Sequence, residues 1–219
     1  MKSSTQSTVE KFSQPKCIWL CKLGALAAVV IFVLLLIGMI GIITEALGFA
    51  VTSNWITPFY NNWLSVLFKL NIRMAGITPD SLTVLNPVDV LIMVLFSLLF
   101  LALFAILSNT TKLWSAIATC LPILGIIVYL ITKTAGRSGL LIGGLVYSIV
   151  MLRSKNFSRV SAYIGIIASG LLFFAGDIGT AAFHSSSIIA ILIGAGYILW
   201  MLWVFLTGWR LYHLMILPG

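Results

Sequence analysis

The sequence predicts an all-α fold: a polytopic membrane bundle of six transmembrane helices, with one amphipathic helix at the outer interface. Three observations lead there. Of 219 residues, 61% are hydrophobic and 8% charged, with a mean hydropathy of +1.14. A soluble domain carries about 25% charged residues, so this chain has too few to cover a water-facing surface. The apolar residues gather in six runs, and the cations stand mainly in the short segments between them. A soluble enzyme, a disordered chain and a nucleic-acid-binding domain are excluded on composition. The net charge of +8 reads as orientation signal and as attraction to anionic lipid head groups.

Residues 1–21 form the expected cytoplasmic tail, polar and Ser/Thr-rich as far as Lys16 and read as flexible there. Cys17 and Cys21 share a helix face, where they serve as small interfacial hydrophobes, acyl-chain carriers or half of a metal site. The first span covers about Lys22 to Leu47. Its apolar stretch is too long, and too poor in a small-x-small cleavage site, for a cleavable signal peptide, so it is expected to stay as an anchor.

The outer loop, 48–87, is the one long connection. Thr57-Pro58 is a good helix start, with threonine as cap and proline in the first turn. Asn62, Ser65, Lys69 and Arg73 then recur on one stripe, and Phe59, Trp63, Val66, Leu67, Leu70 and Met74 on the other. This predicts an amphipathic helix over about 58–74, an interfacial anchor or a lid. The second span, about Val88 to Leu107, opens on Asn86-Pro87-Val88-Asp89, where Asn86 caps and Asp89 answers the helix dipole. Thr78-Pro79-Asp80-Ser81 has the same logic for a short turn.

The third run, about Leu113 to Thr132, is of full length. The fourth, Gly139 to Leu152, makes only about 21 Å of helix against about 30 Å of hydrocarbon. It is either re-entrant or spans with Arg137 and Arg153 snorkelling from its ends. The positive-inside rule decides. Six spans put Lys2, Lys11, Lys16, Lys22, Lys112, Arg153, Lys155, Arg159 and Arg210 inside, against Lys69, Arg73, Lys133 and Arg137 outside. The fifth run lies near Ser161 to Phe183. The sixth, near Ile188 to Thr207, follows capping serines at 185–187 and ends a transmembrane domain of 22–210, leaving 211–219 as a cytoplasmic tail. Trp19, Trp114, Tyr163, Trp203, Trp209 and Tyr212 are expected at the inner interface, and Trp55, Tyr60, Trp63 and Tyr129 at the outer one.

Small residues recur three or four apart at Gly38 and Gly41, Gly139 and Gly143, Gly165 and Ser169, and Ala190 and Gly194. Such faces let helices approach closely, within one bundle or against other membrane proteins or a second copy. Membrane lipids are the other expected partners.

Asp177 is the one charge that orientation, capping and anchoring leave unexplained. An ionised Asp near a helix centre costs about 2.5–3.5 kcal/mol on insertion, so it should face the bundle, pair with a cation or be protonated. Thr180 and His184 follow on its face, and Arg137 and Glu45 stand at the same outer level. Together Asp177, Thr180, His184, Arg137 and Glu45 make a candidate polar intramembrane cluster. Three readings stay open: a proton or cation relay, a site for an anionic head group or solute, and structural glue.

No metal and no cofactor are expected. Asp177 and His184 lie about 10.5 Å apart along the axis, awkward for one ion, and His213 belongs to the opposite face. The chain holds no H-E-x-x-H, G-x-S-x-G, P-loop or dinucleotide fingerprint. Catalysis is not expected, though an unusual intramembrane enzyme stays as a further alternative. The leading expectation is an accessory, scaffold or lipid-associated membrane subunit, and the alternative is a small solute or proton-linked transporter using Asp177.

Phe157-Ser158-Arg159 through Gly165, Gly176-Asp177, and Gly196-Tyr197-Ile198-Leu199-Trp200 with Trp203 resemble segments of a group of uncharacterised prokaryotic multi-spanning membrane proteins. Leu85-Asn86-Pro87-Val88-Asp89 is similar to members of that group too. The resemblance implies a membrane fold and a prokaryotic plasma-membrane address, and no catalytic residues.

Overall fold

The computed structural model describes residues 15–46, 87–108, 110–132, 137–179 and 187–216. Every regular element among them is helical: α1 (Pro15–Ala46), α2 (Pro87–Leu107), α3 (Lys112–Thr132), α4 (Arg137–Arg153), α5 (Arg159–Leu171), which passes into a π-helical segment (Leu172–Gly179), and α6 (Ser187–Ile216). The fold is an all-α bundle. The predicted outer amphipathic helix, 58–74, lies outside the described residues.

Local chemistry accounts for the starts and turns. Pro15 and Pro87 open α1 and α2, where a missing N–H costs nothing. Ser158, in extended conformation, caps α5 by accepting from the Ser161 N–H at 3.1 Å. Between α2 and α3, the Thr110 and Thr111 N–H groups donate to the Leu107 carbonyl at 2.9 and 3.3 Å. Between α4 and α5, the Ser154 N–H donates to Met151 O at 3.1 Å. Turns this short make antiparallel neighbours.

Each helix packs against its neighbours in the chain, and α6 returns to α1, closing a ring. The seams are built on glycine. Gly24 faces Ala102 and Leu211, and Gly208 faces Ala28, so α1 lies close against both α2 and α6. The Tyr197 hydroxyl adds a bond from α6 to Leu35 O at 2.9 Å.

The short fourth run is one continuous helix of 17 residues. A Cβ at Gly139 would come within 2.9 Å of Gly125 Cα, and one at Gly143 within 2.7 Å of Pro122 Cδ and 3.0 Å of Ala118 O. Ala118 O is the carbonyl that Pro122, inside α3, has no N–H to serve. At its other end α4 brings Arg153 beside Thr111 and Trp114. It therefore runs antiparallel along α3 from Gly125 to Thr111 and does not turn back.

The helices alternate in direction. One end of the ring carries Lys22, Lys112, Arg153, Lys155, Arg159 and Arg210. The other carries the end of α1, the starts of α2 and α4, and the end of the π segment. At the basic end Arg210 Nε donates to the Asn156 carbonyl, fastening α6 to the α4–α5 turn.

α1 and α6 exceed the spans that hydropathy alone marks, starting at Pro15 and ending at Ile216. That extension corrects the placing of Trp203. Expected at the inner interface, it stands seven residues before Arg210, about 10 Å in from the basic end, and is wholly buried. Trp19, Trp114, Tyr163, Trp209 and Tyr212 are exposed near the basic end.

Candidate functional site

Alternating helix directions put the backbones of Glu45, Arg137 and Asp177 at one end of the bundle: Glu45 in the last turn of α1, Arg137 first in α4, and Asp177 in the π segment. The side chains of these three, and Thr180 and His184 entirely, lie outside the described residues. The backbone at Asp177 adds one fact that composition could not supply. The helix widens from α to π winding over Leu172–Gly179, a change found mostly as short bulges and often at functional positions.

The middle of the ring is filled by aromatic rings from α2, α4 and α6. Phe96, Phe100, Tyr147, Trp200 and Trp203 are all buried. Phe100 stacks on Tyr147 at 5.2 Å and 8°, while Trp200 lies 5.0 Å from Trp203 and 5.9 Å from Phe96. Offset and tilted contacts of this kind suit the ring quadrupoles. Glycine makes the room: a Cβ at Gly144 would overlap the Trp200 ring, and one at Gly165 would overlap Trp203 and Ser148. Gly165, read from sequence as a helix-packing residue, therefore serves as a socket for an indole.

Polar groups in this centre divide into two sets. The Tyr147 hydroxyl donates to Phe100 O at 2.9 Å and meets the Thr119 hydroxyl, which itself bonds Ser115 O at 2.8 Å. Near it the Ser115 and Ser169 hydroxyls and both indole N–H groups are buried with no hydrogen-bond partner among the described residues. The tyrosine is held by direction as well as by shape, and the tryptophans by shape.

A groove of about 670 Å³ opens on the outside of the ring at its basic end, between α1 and α6. Ala25 and Gly208 form its floor, and Leu26, Val29, Phe205, Trp209 and Tyr212 its walls, with Lys22 beside them. Those walls are from 39% to 62% exposed, a continuous apolar surface that water would disfavour. The Phe32–Phe205 ring pair, centroids 5.3 Å apart, closes the seam above it. Edge-on contact with Trp209 at 4.8 Å holds His213 close by. Cys21 is buried in the core near this end. Each half of the groove reads in sequence only as lipid-facing helix surface. Its pairing joins residues some 180 positions apart, and no local pattern encodes that.

Comparison with protein-family models, with curated proteins and with solved structures gives no match. Among the described residues, three helices are long and apolar enough to cross a membrane: Ile18–Ile40, Val90–Leu107 and Ile191–Ile216. The fold is thus an all-α helical bundle with helices fit to cross a membrane.

Proposed function

We propose that this chain is a six-span protein of a prokaryotic plasma membrane, with both termini cytoplasmic, serving as an accessory, scaffold or lipid-associated subunit. Supporting six spans, the shorter apolar helices Lys112–Val128, Ser138–Arg153 and Arg159–Ala175 run beside the three long ones. Supporting the orientation, six cations stand at the end that carries both chain-terminal helix ends. The observation that carries the function is the filled centre: five packed aromatic side chains occupy the place where a carrier would keep a polar path. The test is reconstitution of the full chain in proteoliposomes with an internal pH dye. Proton leak equal to that of empty vesicles is expected, and leak well above it refutes the reading.

The π winding at Asp177 favours a second reading, a proton-linked carrier working around the aromatic core at the acid's level. Asp177→Asn separates the two. A wild-type flux abolished by this variant establishes the carrier. An unchanged flux with altered thermal stability leaves Asp177 a structural role.

A further inference from the structure

We propose that the α1–α6 groove binds one anionic diacyl phospholipid of the leaflet at the basic end. An acyl chain lies between Leu26, Val29 and Phe205, and the phosphate meets Lys22. This rests on the membrane-embedded reading above. Four observations select this occupant.

The walls are apolar and exposed, and the floor of Ala25 and Gly208 is recessed because neither residue carries more than a methyl group. Length comes next. Below the level of Lys22 and Tyr212 the groove follows α6 as far as Phe205, about 10 Å, which lies within one leaflet of a hydrocarbon core of about 30 Å. The Phe32–Phe205 contact ends it there. A transmembrane helix from a partner or a second copy needs a surface running through both leaflets, whereas a lipid tail needs one leaflet only. Charge selects the head group. Lys22 is exposed at the groove, Arg210 stands on the same stretch of α6, and no acidic side chain is described at that end. Finally, Trp209 and Tyr212 flank Lys22 and are half exposed, the amphipathic rings expected at head-group depth.

The test is native mass spectrometry of the full chain, released from mild detergent after exposure to phosphatidylglycerol or phosphatidylcholine of identical acyl chains. Wild type should retain one phosphatidylglycerol in preference to phosphatidylcholine. Lys22→Ala should weaken phosphatidylglycerol retention about fivefold and leave phosphatidylcholine unchanged, the effect of one cation near the surface. Val29→Trp, filling the groove from an exposed wall position, should lower retention of both lipids. Leu124→Trp, equally exposed on α3, should change neither. Equal retention of the two lipids, or no response to Val29→Trp, overturns the proposal. So does a Leu26→Cys crosslink between two copies that added phosphatidylglycerol leaves undiminished. Alkaline carbonate extraction distinguishes the two failures. A chain that leaves the membrane refutes the embedded reading itself, and one that stays with flat lipid retention refutes the site alone.

Discussion

Two glycine-to-alanine changes, chemically identical and set on neighbouring helices, should move stability in opposite directions. At Gly144 the added methyl would overlap the Trp200 ring, lying 2.8 Å from Cζ3, with Ser169 Oγ 3.4 Å away. The indole has no free end to swing aside, since it is fully buried and wedged between Phe96 and Trp203. Overpacking of this kind costs about 1–3 kcal/mol, and a locked ring places it at about 2–3. Better helix propensity returns up to about 1 kcal/mol, so Gly144→Ala should destabilise by about 1–2 kcal/mol. At Gly170 nothing lies within 4 Å of the added atom, and only the propensity gain remains. The two variants should therefore differ by about 2–3 kcal/mol, roughly 30- to 150-fold in the unfolding constant. Reversible unfolding in mixed dodecylmaltoside–SDS micelles, followed by far-UV circular dichroism, measures both. Trp200→Phe withdraws the clashing edge, so the double variant Gly144→Ala/Trp200→Phe should recover at least about 1 kcal/mol relative to the sum of the single changes. Equal effects at Gly144 and Gly170, or additivity in the pair, would refute the socket.

Two further variants probe polar contacts. Tyr147→Phe removes the 2.9 Å bond to Phe100 O but leaves Thr119 its bond to Ser115 O, so the same titration should show a loss of only about 0.6–1.5 kcal/mol. Ser158→Ala removes the cap of α5 and should cost about 1 kcal/mol, with hydrogen exchange accelerating first at the Ser161 amide.

Much of this architecture was legible because hydropathy and punctuation act locally. Pro87 and Leu107 bound the second helix as the sequence suggests, and the α2–α3 and α4–α5 turns fall where polar residues interrupt the apolar runs. The ends of α1 and α6 were not legible. Lys16, Lys22 and Arg210 interrupt an apolar count without stopping a helix, since each long side chain can extend toward water. The centre was hidden for another reason. Trp203 and Trp209 look alike in sequence, and only the partner helices decide that one fills a socket at Gly165 while the other faces outward. Asp177 was found by its insertion cost, but the π winding beneath it was not. Gly176 and Gly179 permit that winding, and they equally permit an ordinary helix.

The place of the groove follows from the order of the helices. Burial of apolar surface does not distinguish helix contact from lipid contact in a bilayer, so a seam closes where side chains interlock or a short turn forces it to. At the basic end, turns bind α2 to α3 and α4 to α5, and the Arg210–Asn156 bond fastens α6 to the second of these turns. Between α1 and α6, the first and last helices described, no turn acts there. On the inner side their contact is closed by Gly24 against Leu211, Ala28 against Gly208 and Phe32 against Phe205, while on the outer side Ala25 and Gly208, too small to fill the space between the exposed Leu26 and Trp209, leave the groove open. The opening is thus the seam of the ring itself. That confines it to the periphery and to the basic end of the bundle, apart from the aromatic centre that holds the bundle together.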